Sequence, residues 1–258
     1  MQKLMSFDLD GTLVFNREIE EANIGAIRKW QDAGNIAVCN TGKSIFATKV
    51  VLEPYDLTFD YYVLYTGAVI CDKDFNILEK KTLPLHIVKE VYERLATTDN
   101  VAVFATTLDQ DYQLFNRVGG VSNILPAFEQ LESQYIPNHE YVGVPIWSPD
   151  SNLRAEIFAW ILDEFGEEID CHRNLDFLDI VPKNSTKGSG LEMLLEQRFA
   201  QNRPEIFTIG DSWNDLEMHR MADHAASFSY SPEDVREATE HVVEKTFEFI
   251  DRMLADEQ

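Results

Sequence analysis

The stretch Phe7-Asp8-Leu9-Asp10-Gly11-Thr12 puts two carboxylates one residue apart at the end of a short apolar run. Leu4, Met5 and Phe7 predict a strand, and Gly11 with Thr12 breaks it just after the acidic pair. In an open parallel sheet the loops leaving the strands' carboxyl ends form the crevice that ligands enter, so the pair falls where such a fold carries its chemistry. Two aspartates so close repel each other, which calls for a cation between them or a proton on one. A hard ion such as Mg2+, which takes oxygen ligands, suits that need. Asp and Gly also mark ordinary turns after strands, so the stretch alone leaves both readings open.

Outward from this turn the pattern is strand, helix, strand. Ile24, Ile27 and Trp30 recur at helical spacing with Gly34 as a C-terminal stop, and Ile36 to Cys39 forms a second apolar run ending in Asn40-Thr41-Gly42-Lys43-Ser44. This is a βαβ unit. A helix from Ser44 to Leu52, a strand from Tyr61 to Tyr65 and a hairpin turning at Asp72-Lys73-Asp74 follow. The alternation resumes near Lys187: helix, the strand Ile206 to Ile209, the turn Gly210-Asp211-Ser212-Trp213-Asn214-Asp215, a helix through Leu216 and Met218, a strand near Ala225 to Phe228, a helix from Pro232, and a closing amphipathic helix with Phe247, Ile250 and Leu254.

Residues 83–184 read differently. Ile87, Val88, Val91, Tyr92 and Leu95 mark one helix, and Leu153, Ile157, Phe158, Ile161 and Leu162 another. Strands are expected at Val101 to Ala105, Tyr112 to Phe115, Tyr141 to Trp147, Ile169 to His172 and Phe177 to Val181. Helices packed on a mainly antiparallel sheet make an α+β unit, here inserted between core segments 1–82 and 185–258. The expected fold is therefore α/β, a doubly wound, mainly parallel Rossmann-like core with an inserted α+β domain.

With 22 Lys and Arg against 45 Asp and Glu, the net charge of -23 argues against sequence-independent nucleic-acid binding and against anionic membrane surfaces. An anionic substrate would need a local positive site and a metal to overcome that field. Cys39, Cys71 and Cys171 lack CxxC spacing, and neither a secretory leader nor the roughly 18-residue apolar run of a membrane span is seen; a cytoplasmic protein with reduced thiols is expected. Oligomeric state is not legible.

Four polar constellations follow core strands or open a core helix: Asp8/Asp10, Thr41/Gly42, Lys187/Gly188 and Asp211/Asn214/Asp215. Singly each is weak, since a Thr-Gly pair is common in turns and a lone lysine is usually solvated. Together they suit phosphoryl transfer, which needs an in-line nucleophile, neutralisation of the equatorial oxygens and a proton for the leaving oxygen. Asp8 could attack phosphorus to give an aspartyl-phosphate, and Asp10 could protonate the leaving group and then activate water. Thr41, the turn amides near Gly42, and Lys187 could hold phosphate oxygens while Asp211 completes a Mg2+ site.

These four segments, in this order, resemble the motifs of the haloacid dehalogenase-like hydrolase superfamily, and the insert resembles the large α+β cap of its Cof-type and sugar-phosphatase-like branch. The resemblance implies Asp8 as nucleophile and metal ligand, and Asp10 as general acid/base whose backbone carbonyl also ligates the metal. It implies Thr41, Gly42, Lys187 and Asn214 around the phosphate, Asp211 on the metal, and Asp215 supporting the metal. An acid at the position of Asp10 resembles the phosphatases and phosphomutases of the superfamily. The implied activity is Mg2+-dependent hydrolysis of a small metabolite's phosphomonoester, a sugar or polyol phosphate. Lys43 stands where many Cof-type relatives carry Arg, and Thr66-Gly67-Ala68 where Asn-Gly-Ala is common.

Two other readings compete: a phosphomutase of the phosphomannomutase type, which the sparse arginines of residues 83–184 disfavour, and a non-catalytic phosphate-ligand sensor. The six histidines show no ligand spacing such as HxxxH, which argues against zinc. Cys39 reads as a buried inert thiol, and Trp213 as a packing or crevice-lining residue. Arg117, Arg154, His172 and Arg173 are expected at solvated surface positions.

Overall fold

The computed structural model describes residues 2–118, 128–174 and 176–255. Its chain separates into two compact units, one made from the segments through Lys43, Ala47–Lys80 and from Thr186 onwards, the other from Lys81–Ser185 with Ser44–Phe46.

The first unit holds an eight-stranded sheet in the order His241–Val243, His224–Phe228, Glu205–Ile209, Lys3–Phe7, Ile36–Asn40, Tyr61–Leu64, Val69–Asp72, Ile77–Lys80. The first six strands pair in parallel, and the last two form an antiparallel hairpin edge. Lys3–Phe7 lies mid-sheet and is buried along its whole length, as its apolar run predicts. The helix Glu21–Asp32 buries Ile24, Ile27 and Trp30, and the Trp30 indole donates to the Ile36 carbonyl at 2.9 Å, tying the helix to the next strand. Its chain reversal uses Gly34 at φ +83°, where a side chain would be strained. On the other face Leu191, Leu194 and Leu195 of the helix Lys187–Arg198 pack with Leu4, Val38, Val63 and Ile206. Strand order reverses at Lys3–Phe7, because the chain leaves this strand in one direction and returns to its opposite side as Glu205–Ile209. That switch point opens a crevice at the strands' carboxyl ends.

The second unit is a six-stranded sheet in the order Glu129–Gln130, Asp111–Asn116, Ala102–Thr107, Tyr141–Trp147, Phe177–Pro182, Ile169–Asn174, antiparallel except for the Glu129–Gln130 pairing. The helices Leu85–Leu95 and Ser151–Phe165 bury Ile87, Val91, Ile157 and Ile161 in a common cluster with strand residues Val103, Ile146 and Leu178. Asp150 starts the second helix by accepting from the Asn152 and Leu153 amides at 2.9 and 3.2 Å. The expected α+β character is observed.

Arg154 departs from its expected solvated position. Its side chain is only 17% exposed, pairs with Asp176 at 3.0 Å and also donates to the Ser148 carbonyl. The Arg173 guanidinium lies 4.3 Å from the Phe158 ring centroid, and Arg117 donates to the Ala96 carbonyl. Arg117, His172 and Arg173 are exposed, as expected, so of these four Arg154 alone departs.

Several short elements were not anticipated. The edge strand His241–Val243 and the two-residue pair Val14–Phe15 with Glu18–Ile19 are too brief to show a period. No helix among the described residues is long and apolar enough to cross a membrane.

Candidate active site

Asp8 leaves the first strand with its amide donating to the Ile209 carbonyl at 3.1 Å, so the ladder with the neighbouring strand extends one residue and fixes where the carboxylate points. Its neighbour Asp211 follows the strand Glu205–Ile209 across the switch point. The two can approach because residue 11 is glycine: a Cβ there would fall 2.6 Å from Asp211 Oδ2, and its φ of +79° is strained for other residues.

Lys187 opens its helix directly after Thr186, whose hydroxyl accepts from the Ser189 amide at 3.0 Å as the N-cap. The helix is drawn close to the Tyr65–Gly67 turn, where a Cβ on Gly67 would lie 1.9 Å from the Thr186 carbonyl oxygen. Asn40, at the end of its strand, donates to the Lys187 carbonyl at 3.0 Å and to Ser6 Oγ at 3.2 Å, fixing the lysine backbone to the sheet. The Lys187 ammonium, 1% exposed, then lies 2.6 Å from both Asp8 Oδ1 and Asp215 Oδ1.

Asp215 is wholly buried, and its second oxygen accepts from the Asp211 and Ser212 amides at 3.0 and 2.9 Å. Both of its oxygens are therefore engaged, one by lysine and one by the turn, which makes it a scaffold for the other acids. One carboxylate oxygen from each of Asp8, Asp211 and Asp215 lies within 4.8 Å of the others. Three oxygen donors in so small a space fit a hard divalent cation, which Asp211 and the Asp8 carboxylate, engaged by Lys187 through one oxygen only, would hold.

The electrostatics agree. Burial pushes the Asp8 carboxyl up to about 8, aided by Asp215 and Asp211 and opposed by Lys187. Burial and Asp215 likewise raise Asp211. Burial works against the Lys187 charge, yet Asp8 and Asp215 outweigh it and hold the lysine protonated. The cluster thus lacks positive charge, as a site built for a cation does.

Asp10 stands apart from these acids. Its side chain is 60% exposed and pairs with Lys43 at 2.7 Å. Thr41 is buried; its amide donates to the Val63 carbonyl at 2.9 Å and its hydroxyl accepts from the Lys43 amide at 3.3 Å. Gly42 is exposed beside it. Asn214 is exposed in the turn Trp213–Asp215. Trp213, expected to pack or to line the crevice, is 60% exposed and donates to Asp234 at 2.8 and 3.0 Å. Cys39 is buried, which raises its thiol well above the usual range, so it is inert as expected.

Sequence reasoning missed Lys43 as a partner of Asp10 and Asn40 as a tether for Lys187. The adjacency of strands Lys3–Phe7 and Ile36–Asn40 was the available signal for both.

The family model for haloacid dehalogenase-like hydrolases matches residues 5–248. Among curated proteins the chain is 22% identical to the 5-amino-6-(5-phospho-D-ribitylamino)uracil phosphatase YcsE of Bacillus subtilis (strain 168), covering 95% of this chain and 91% of that protein. It is 25% identical to the HMP-PP phosphatase of Yersinia pestis (strain Pestoides F), over 84% of this chain and 80% of that one. Its fold is that of TM0651 from Thermotoga maritima, with a TM-score of 0.81 at 22% identity over 98% of this chain and 97% of the other.

Proposed function

Starting from the family match, which shows that the chain belongs to the haloacid dehalogenase-like hydrolases, we propose that it is a Mg2+-dependent phosphatase acting on the phosphomonoester of a small sugar or polyol. The observation that carries this reading is the buried Lys187 ammonium, 2.6 Å from both Asp8 and Asp215, which aligns Asp8 beside Asp211.

In this mechanism an Asp8 oxygen forms a bond to phosphorus as the bond from phosphorus to the leaving oxygen breaks. Asp10, exposed and held by Lys43, passes a proton to that oxygen, so the alcohol departs neutral. Water then attacks the phosphorus of the aspartyl-phosphate while Asp10 takes its proton. The Asp8–phosphorus bond breaks, releasing inorganic phosphate and restoring the carboxylate. Lys187 compensates charge at Asp8 throughout, and Thr41 with the Gly42 amide steadies the phosphoryl oxygens. Held by Asp8, Asp211 and the Asp10 carbonyl, Mg2+ would supply further neutralisation of the phosphoryl charge and draw Asp8 into its ionised form. Asn214, exposed in the turn Trp213–Asp215, would add its amide at the phosphate.

The substrate class is supported by YcsE, whose named substrate carries its phosphate on a ribityl chain. A phosphomutase needs cationic groups for a second phosphate; arginines are sparse in the insert, and Arg154 is committed to Asp176 and the Ser148 carbonyl within it. The test is a panel of sugar and polyol phosphates assayed with Mg2+ and with chelator. Phosphate release that needs Mg2+ and falls by about 10²-fold or more in Asp10→Asn is expected. Failure of every panel member would favour a ligand sensor, and isomerised product from a bisphosphorylated sugar would favour the mutase.

A further inference from the structure

At the opposite end of the same sheet, the amino ends of three parallel strands bring together His224, His241, Glu240 and Glu205. His224 and Glu205 begin their strands, His241 begins the edge strand, and Glu240 precedes it. The residues are far apart in sequence, so no ligand spacing announces them; pairing of Ala226 with His241 and Phe207 with His224 sets them side by side.

Glu240 Oε2 lies 2.9 Å from His224 Nδ1 and 3.4 Å from His241 Nε2. Donors around a tetrahedral Zn2+ stand about 3.4 Å apart, so the spacing is already near that of ligands sharing one ion. One donor atom from each of the three residues lies within 4.8 Å of the others. Two further observations point the same way. His241 Nε2 is buried and has no hydrogen-bond partner among the described residues, though it faces Glu240 Oε2 at 3.4 Å. The other ring nitrogen of His224, Nε2, lies 3.3 Å from Glu205 Oε1, the carboxylate-to-imidazole contact that fixes the tautomer of a metal-bound histidine.

The rings are also held in place. His224 stacks on Phe207 with centroids 4.9 Å apart and planes at 22°, and His241 lies 5.4 Å from the Phe249 ring. Phe207 and Phe249 are buried core residues, so the imidazoles are preorganised by packing. Glu240 is the most exposed of the three, leaving a way in for an ion.

We propose that His224, Glu240 and His241 form a second metal site that takes a borderline divalent ion of the Zn2+ class through His224 Nδ1, His241 Nε2 and Glu240 Oε2, with Glu205 orienting His224. Imidazole donors suit Zn2+ and its neighbours and not Mg2+, so the site differs in selectivity from the aspartate cluster. A bound ion would pin the edge strand His241–Val243 to His224–Phe228. The site does not depend on the phosphatase reading.

The test uses the full chain in excess Mg2+, titrated with Zn2+ by calorimetry and with Co2+ by visible absorption. One ion per chain is expected, with the intense d–d bands of low-symmetry cobalt and a raised thermal midpoint. Asp211→Asn should retain this binding. His224→Gln and His241→Gln should each weaken it at least about tenfold, and Glu205→Gln by roughly tenfold through loss of orientation. Circular dichroism checks that each variant is folded, and Glu240→Gln supplies a variant with both rings intact. Binding abolished by Asp211→Asn but kept by the histidine variants would assign the ion to the aspartate cluster and overturn the proposal, as would absence of binding by the folded parent.

Discussion

At the carboxyl ends of Lys3–Phe7 and Glu205–Ile209 the ionisable groups are carboxylates around one lysine, with Asp8, Asp215 and Lys187 all nearly sealed from water. At the amino ends of His224–Phe228 and His241–Val243 they are imidazoles and glutamates, each partly open to solvent. The difference is one of interdependence. In the sealed cluster each charge is tolerable only because the others are present, so removing one strands the rest in a low dielectric. In the open cluster Glu240 and His224 reach water, so the ion pairs themselves add little stability.

This contrast breaks most visibly at Lys187. Lys187→Met should cost about 3–5 kcal/mol by leaving Asp8 and Asp215 buried without their cation, read as a fall in the urea midpoint alongside loss of turnover. A cost near that of an exposed pair would show that the cluster is wetter than its burial indicates.

Between the two ends, His219 tests the same principle with pH. Its Nδ1 lies 2.9 Å from Thr208 Oγ1, and burial pushes its pKa down to about 4 from an ordinary 6.5. The unfolded chain binds the proton first, so His219 favours folding fully above pH 6.5 and loses that contribution as pH falls toward 4, by up to about 3 kcal/mol. Unfolding followed across this window should show a shallower pH slope in His219→Gln; an unchanged slope would place the acid sensitivity elsewhere.

The pair Lys43–Asp10, half-buried at the lysine and open at the aspartate, supplies the contrast. Lys43→Ala should alter stability by no more than about 1 kcal/mol while lowering kcat through the misplaced Asp10. The smallest effect is expected at the amino ends: without a transition ion, His224→Gln should leave the thermal midpoint essentially unmoved, and a large drop would mean that the histidine cluster is structural in its own right.

The candidate acids Asp8 and Asp211 were legible in sequence because a strand end beside a glycine turn is a local signal, whereas Lys187, weak by itself, was legible only in combination with them. Their mutual placement was legible only as far as the parallel alternation fixes strand order. Within the Gly210–Asp215 segment the turn buries Asp215 and leaves Asn214 exposed, a split between neighbours that no local sequence signal marks. Lys43 stood out only as a departure, since its contact with Asp10 depends on two strands lying side by side. The histidine cluster was invisible for the same reason, compounded by an edge strand of three residues, His241–Val243, too short to register a period. Arg154 was misplaced because an arginine buries readily once a carboxylate and a carbonyl meet it, and neither Asp176 nor the Ser148 carbonyl is signalled nearby.

In the proposed reaction Asp8 carries the phosphoryl group. The most direct measurement is rapid-quench mass spectrometry of the Mg2+-loaded protein during turnover of a panel substrate. The account predicts a phosphoryl adduct on the peptide containing Asp8, absent in Asp8→Asn, whose turnover falls about a thousandfold or more. Phosphate release by Asp8→Asn at the parent's rate, with no adduct in either protein, would contradict it.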